Sequence, residues 1–221
     1  MKKIIKKSSP DWFETWKYNF REENKRKPNY EGDFSTMDDN GQQRRIRLRK
    51  ELIKEQGEIC CYCMKKIDIS SSHTEHFWPK SKFEDIDLEY TNLFASCNGS
   101  GVVGKEGYCG HKKYDWFIPN MISPLDTRIE ELFKFTPDGE IHIVQGNALS
   151  NIAKEMKNHL GLDSYHLNRN RRQAIEESEY FEEAEYTQED ILNFIDYYSN
   201  MDNGKYVPYC KAIIDCLKTL L

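Results

Sequence analysis

The sequence predicts an α+β chain, predominantly helical, built around a small core that cysteines hold together. Three observations predict it. Cys60, Cys63, Cys97 and Cys109 bracket a polar stretch, apolar residues repeat at helical spacing on both sides of that bracket, and one Asp-Gly turn lies between alternating apolar residues. With 221 residues and 38% apolar content the chain can bury a sizeable core, while 31% charged residues require a polar surface. No apolar run is long enough to span a bilayer, so a soluble protein, or one that reaches a membrane only through partners, is expected.

Before the bracket, Asp11 to Tyr18 has the spacing of a short amphipathic helix. Residues 22–40 carry Pro28, Gly32 and paired acids, which marks an exposed connection. Arg44 to Gln56 reads as a helix ended by Gly57. After the bracket, Leu132-Phe133-Lys134-Phe135 and Ile141-His142-Ile143-Val144 flank Asp138-Gly139, a hairpin signal. Ile152, Met156 and Leu160 then repeat at spacing four until Gly161, and Asn168 is placed as the cap of a helix through Arg171, Ala174 and Ile175. Thr187-Gln188-Glu189-Asp190 opens a further helix over Ile191, Leu192 and Ile195, which Asn203-Gly204 closes. Pro208 sits in the first turn of a final helix with Ile213, Ile214, Leu217 and Leu221 as one stripe. Such stripes read as core, with partner binding by the last helix as a second option.

The cysteines carry the first chemical inference. Cys60 and Cys63 form a C-x-x-C knuckle, and Cys97 and Cys109 supply a second pair, enough for a tetrahedral shell of four thiolates around a structural Zn²⁺. Metal binding would then fold a segment too polar to build its own core. Cys61 could replace Cys60, although C-x-x-C geometry favours Cys60 with Cys63. Residues 98–108 separate the second pair and contain Gly99, Gly101, Gly104 and Gly107, the composition of a flexible loop. A redox C-x-x-C would need a βαβ context that is not visible, and disulfides would suit an exported protein. Met1-Lys2-Lys3-Ile4-Ile5-Lys6-Lys7 leads into Ser8-Ser9-Pro10-Asp11 and not into an apolar segment, so the cytosol is the expected compartment. Cys210 and Cys216 read as buried thiols on the last helix.

Inside the bracket, His73-Thr74-Glu75-His76-Phe77-Trp78-Pro79 is a β-compatible run ended by proline. Adjacent strand residues point to opposite faces, so Glu75 and His76 can cooperate only at a strand end or twisted edge. Asn92 precedes Cys97, and Cys109-Gly110-His111-Lys112-Lys113 has the look of a helix start. Asn92 alone suits an Asx turn, and His73 is assigned a structural place.

This order resembles the HNH, or ββα-metal, nuclease family. Glu75-His76 matches its acid-His element, Asn92 its middle Asn, His111 its final His, and Cys60, Cys63, Cys97 and Cys109 its zinc knuckles. Glu75 stands where Asp is commoner, and His111 follows its cysteine by two positions. Further runs, Lys7-Ser8-Ser9-Pro10-Asp11-Trp12-Phe13, Gly57-Glu58-Ile59-Cys60-Cys61-Tyr62-Cys63, Ile122-Ser123-Pro124-Leu125 and residues 208–214, resemble the PtuB nucleases of Septu and retron-linked antiphage defence systems. The resemblance implies a zinc-stapled ββα-metal core over residues 59–120, an N-terminal helical segment over 1–58, and a C-terminal hairpin and helical region over 121–221. It implies an endonuclease in which His76 activates water, Glu75 and His111 hold a catalytic Mg²⁺ or Mn²⁺, and Asn92 orients the loop and His76. Lys112 and Lys113 would contact backbone phosphates, unless they merely solvate a helix face. Implied partners are an ABC or SMC-like ATPase of the PtuA type and, where the locus is a retron, a reverse transcriptase with its reverse-transcribed DNA. The substrate would be DNA or RNA.

A noncatalytic zinc-ribbon module that binds nucleic acid or protein is the alternative, and it would need the cysteines but not the set Glu75, His76, Asn92 and His111. Charge is uneven, +4 over residues 1–60, −1 over 61–120 and −8 over 121–221. Arg44, Arg45, Arg47, Arg49 and Lys50 could guide a polyanion, or could solvate a helix whose Ile46, Leu48, Leu52 and Ile53 face the core. The acidic C-terminal half suits a protein partner better than nucleic acid.

Overall fold

A computed structural model describes residues 1–38, 41–99, 107–146, 148–178 and 186–221. Among the described residues the chain forms seven α-helices and two small antiparallel sheets, an α+β architecture. The helices are α1 (Asp11–Asn24), α2 (Arg44–Glu55), α3 (Cys109–Lys113), α4 (Ser150–His159), α5 (Tyr165–Glu176), α6 (Gln188–Ser199) and α7 (Cys210–Leu217). The strands are β1 (Ser72–His76), β2 (Leu93–Cys97), β3 (Phe133–Phe135) and β4 (Ile141–Ile143). No helix among the described residues is long and apolar enough to cross a membrane.

The first sheet pairs β1 with β2 in the register Ser72 with Cys97 through His76 with Leu93. All five β2 residues are buried because α2 covers one face and α3 packs on the sheet as well. At the end of α2, Gln56 reads the edge of β2 as a strand would. Its Nε2 donates to the Ala95 carbonyl at 2.8 Å and its Oε1 accepts from the Ala95 N–H at 2.8 Å. The Cys61 N–H donates to the same Ala95 carbonyl at 3.1 Å, which locks the cysteine knuckle to the strand. On the other side of α2, the N-terminal strap is held by Glu55, which pairs with the Lys6 ammonium at 3.0 Å and accepts from the Lys7 N–H at 2.6 Å.

The second sheet is the expected hairpin, β3 on β4, and Gly139 is required at its turn. Its φ of +83° favours glycine, and a Cβ there would lie 2.1 Å from the Asn168 carbonyl oxygen. Helix α7 is the centre of this half, packed by β3, α5 and α6, with Ile213, Ile214 and Leu217 buried. Cys210 and Cys216 are buried there too and form no disulfide. The C-terminal half is pinned to the knuckle by main chain, since the Tyr209 N–H donates to the Met64 carbonyl at 3.0 Å and the Tyr206 N–H to Gly57 at 3.0 Å.

Several boundaries differ from the sequence reading. Helix α1 continues past Tyr18 to Asn24, where Lys25 adopts a left-handed conformation and its N–H closes on the Arg21 carbonyl. The cap of α5 is Ser164, whose side chain accepts from the Leu167 N–H, and Asn168 lies inside the helix. Helix α6 starts as expected, on a reciprocal Thr187–Asp190 capping box, but stops at Ser199 ahead of Asn203-Gly204. Pro208 precedes α7, and Leu221 lies beyond it, 52% exposed, so it leaves the apolar stripe.

Candidate active site and metal centre

Two layers meet on β1, β2 and α3. The first is a sulfur cluster. The Sγ atoms of Cys60, Cys63, Cys97 and Cys109 lie within 4.8 Å of one another, all buried, and Cys63 Sγ is 3.8 Å from Cys97 Sγ. A tetrahedron with Zn–S bonds of about 2.3 Å has edges of about 3.8 Å, so the spacing fits zinc. Cys60 joins the cluster and Cys61 does not. The electrostatics agree with a thiolate site. Burial opposes ionisation of Cys60, but S–H donors from Cys109, Cys61, Cys63 and Cys97 drive its thiol well below the usual value. Burial pushes Cys109 well above it, because four close thiols cannot all ionise without a cation. Cys97 N–H donates to Cys60 Sγ at 3.3 Å.

Cys109 opens α3 in a left-handed conformation, φ +61°, which a non-glycine residue rarely adopts. Its N–H is held by the Leu160 carbonyl at 2.7 Å, so the loop after α4 fixes where α3 begins. Of the glycine-rich insertion, residues 100–106 lie outside the described residues.

The second layer is built on strand alternation. His73 and Glu75 project from one face of β1 toward α3. His73 Nε2 is 3.5 Å from Glu75 Oε2, and the His73 ring stacks on His111 with centroids 4.6 Å apart. Gly110 makes this possible, since a Cβ there would sit 2.4 Å from both Glu75 Oε2 and His73 Nε2. Glu75 is buried and accepts from the Tyr62 hydroxyl at 2.9 Å, while Lys113 Nζ lies 2.8 Å from its Oε1. Burial raises the cost of its charge, yet the Lys113 ammonium together with His73 outweighs burial and holds the carboxyl at about 2. The imidazole of His111 is shifted down by burial first and by His73 second. The donor chemistry of Glu75 and His111, one carboxylate and one imidazole, suits a hard or borderline divalent ion, and His73 adds a second imidazole beside them. Among the described residues only the four cysteines are grouped tightly enough to hold an ion as they stand.

His76, the last residue of β1, faces the other way and is 7% exposed. Its Nε2 is 3.0 Å from the Asp87 carbonyl oxygen. A carbonyl only accepts, so Nε2 carries the proton and Nδ1 is the basic nitrogen. Burial lowers the imidazole to about 4, against the pull of Glu75, so it is neutral at pH 7. Asn92 holds the loop that supplies this carbonyl. Its Oδ1 accepts from the Trp78 N–H at 2.7 Å, and its Nδ2 donates to the carbonyls of Trp78 and Ile86, both at 3.1 Å.

Lys112 and Lys113 separate. Lys112 lies against the Gly161 turn, with its Nζ 3.3 Å from where a Gly161 Cβ would be. Lys113 is 1% exposed and donates to the His76 carbonyl at 2.9 Å as well as pairing with Glu75. As placed it is an interior counterion, which corrects its expected role as a surface phosphate contact. Its neighbours are a carboxylate that neutralises the ammonium and a carbonyl that accepts from it. Sequence reasoning also missed His73 and Tyr62. The signal for His73 was its spacing of two from Glu75 on a strand, which puts both on one face; Tyr62 carried none.

These features define a cysteine-stapled α+β protein with an acid–imidazole cluster set against a short helix. No protein-family model matches the chain. A curated relative, "Retron Vc95 putative HNH endonuclease" of Vibrio cholerae serotype O1 biovar El Tor, is 30% identical over 149 residues, covering 65% of this chain and 70% of the relative. The chain belongs to the HNH endonuclease family.

Proposed function

We propose that this chain is a metal-dependent HNH endonuclease that hydrolyses phosphodiester bonds, and that β1, β2 and α3 are its ββα-metal core. One observation carries the reading: His76 ends β1 with its Nε2 committed to a main-chain carbonyl of the loop that Asn92 clamps. That arrangement leaves a neutral imidazole with a single basic nitrogen, the state a general base needs. Glu75 and His111, with His73 beside them, would hold a Mg²⁺ or Mn²⁺ ion, which supplies Lewis-acid stabilisation of phosphoryl charge when bound. In the reaction His76 Nδ1 accepts the proton of the attacking water. Asn92 keeps the Asp87 carbonyl in place so that the imidazole does not turn. Lys113 offsets the Glu75 charge from the interior, and the half-buried Lys112 is the lysine of the pair left to meet the substrate backbone. The zinc-bound cysteines hold α3 against β2 and do no chemistry.

The relative's name places that protein in a retron, which supports an antiphage role for this chain as the nuclease of a PtuA/PtuB-type assembly, whether Septu or retron-linked. Its partners would be an ABC or SMC-like ATPase and, in a retron, a reverse transcriptase with its reverse-transcribed DNA. The test incubates the protein, alone and with its neighbouring gene products, with plasmid DNA and with total tRNA in Mg²⁺ or Mn²⁺. Cleavage that a chelator and His76→Ala both abolish is the expected result. Cleavage unchanged in His76→Ala would rule the mechanism out, and zinc-dependent binding without cleavage would favour the noncatalytic module.

A further inference from the structure

The outer side of His76 is closed by a segment from the N-terminal region. Tyr30 meets the His76 ring edge-on with centroids 4.5 Å apart, and its N–H donates to Asp87 Oδ2 at 2.7 Å, the residue whose carbonyl holds His76. The next residue, Glu31, is exposed, and its carboxylate lies between two cations from distant parts of the chain. Arg45 of α2 reaches Glu31 Oε2 at 3.0 Å, and Lys80, from the loop after β1, pairs with Glu31 Oε1. Arg45 also donates to the main-chain carbonyls of Tyr30 at 2.6 Å and Glu31 at 2.9 Å. Both cations lie over the Tyr30 ring, at 4.5 Å for Arg45 and 5.3 Å for Lys80.

A carboxylate held by a guanidinium and an ammonium, next in sequence to the tyrosine that packs on His76, carries the single negative charge of a phosphodiester and likewise offers two acceptor oxygens. We infer that Arg45 and Lys80 are phosphate-binding residues of the His76 site, and that Glu31 occupies the position of a substrate backbone phosphate until nucleic acid displaces it. This rests on the endonuclease reading. The ion pairs are half-exposed and therefore readily exchanged, as a competing anion requires and an interior pair such as Lys113–Glu75 would not allow. The contact also contributes to the burial of His76, since the Tyr30 ring covers one side of its imidazole. Asp87 and Asp115 favour the charged form of Lys80 against its partial burial, which keeps the ammonium available to an anion.

The test measures binding of fluorescein-labelled duplex DNA, single-stranded DNA and RNA of matched sequence to the zinc-loaded full chain carrying His76→Ala, which removes cleavage. Adding Glu31→Gln, with unchanged circular dichroism and melting, is expected to tighten binding by roughly threefold to tenfold. Arg45→Ala and Lys80→Ala should each weaken binding and lower the slope of log K against log salt by about 1. In the Arg45→Ala/Lys80→Ala background the gain from Glu31→Gln should vanish. Unchanged affinity in Glu31→Gln, or a gain that persists in that background, overturns the inference. The two readings fail differently. A wild-type protein that cleaves, with Glu31→Gln indifferent, removes this inference alone, whereas a protein that neither cleaves nor binds under any variant removes both.

Discussion

Lys113 and Glu75 form an ion pair inside the protein, Nζ to Oε1 2.8 Å, and the same ammonium donates to the His76 carbonyl at 2.9 Å. One α3 lysine therefore joins the acid of one β1 face to the backbone of the residue that faces the opposite way. The acid and the imidazole, although adjacent and oppositely directed, share one counterion.

Lys113→Met should destabilise the fold by about 3 kcal/mol or more, since it leaves a buried carboxylate unpaired. Urea unfolding measures it. Replacing both residues, Lys113→Met with Glu75→Gln, should recover part of the loss, because no charge is then stranded. A Lys113→Met protein as stable as the wild type would contradict the pairing.

Stability should fall in acid. Glu75 sits at about 2 in the folded protein against an ordinary 4.5, so its contribution, about 3 kcal/mol at 1.4 kcal/mol per unit, is complete above pH 4.5 and lost as pH falls toward 2. His76, lowered from 6.5 to about 4, has the same sign: the unfolded chain binds its proton first, so stability also drops as pH falls from 6.5 to 4. Unfolding across pH 3 to 7, without added Mg²⁺ or Mn²⁺ and with zinc content followed in parallel because acid also protonates the thiolates, should show the whole His76 region and the upper part of the Glu75 region. His76→Gln should remove the His76 region.

About one zinc per chain is expected by elemental analysis. Cys60→Ser should lose it together with secondary structure in the knuckle, whereas Cys61→Ser should keep it, because Cys61 stands outside the sulfur cluster. Equal zinc loss in both would mean that the ligand assignment is wrong.

Gly110→Ala tests the packing of α3 on β1. The helix accepts alanine at that position, yet the new Cβ would lie 2.4 Å from Glu75 Oε2 and His73 Nε2, so the acid–imidazole cluster must shift. Zinc content should persist while Mn²⁺ binding, followed by electron paramagnetic resonance, falls at least tenfold, about 1.4 kcal/mol. Full Mn²⁺ affinity would show that the ion does not depend on these two side chains.

Asn92→Ala strands the Trp78 N–H and the Trp78 carbonyl, at about 1 to 3 kcal/mol for each group left without a partner, while the Ile86 carbonyl keeps the Glu89 N–H at 3.1 Å. Thermal melting should register the loss. Asn92→Asp keeps the acceptor for Trp78 N–H but sets a buried carboxylate oxygen against the two carbonyls, so it should lose at least as much as alanine.

Much of the fold was legible because it is local. The hairpin around Asp138-Gly139 follows from a two-residue alternation and a turn that only glycine fits, and the start of α6 from a capping box four residues long. The end of α1 and the cap of α5 were misplaced for the converse reason. Asn24 stays helical in a polar, exposed stretch with no apolar periodicity to announce it, and Ser164 and Asn168 are both capping residues by type, so only the path of the chain out of Gly161 chooses between them.

By itself the sequence determined which chemical groups are present and in what order: two cysteine pairs, an acid next to an imidazole, an asparagine, and a second imidazole on a short helix. Residue type sets ligand softness, charge and basicity, and these need no fold. Only the tertiary structure decided which residues share a space. It excluded Cys61 from the sulfur cluster, brought His73 to Glu75, drew Lys113 inward as a counterion, and laid Glu31 between Arg45 and Lys80. Each of those outcomes depends on which face a strand turns inward and on where segments remote in sequence cross. The reading that the sequence placed on Lys112 and Lys113 as a pair therefore divides between a half-buried position and the core.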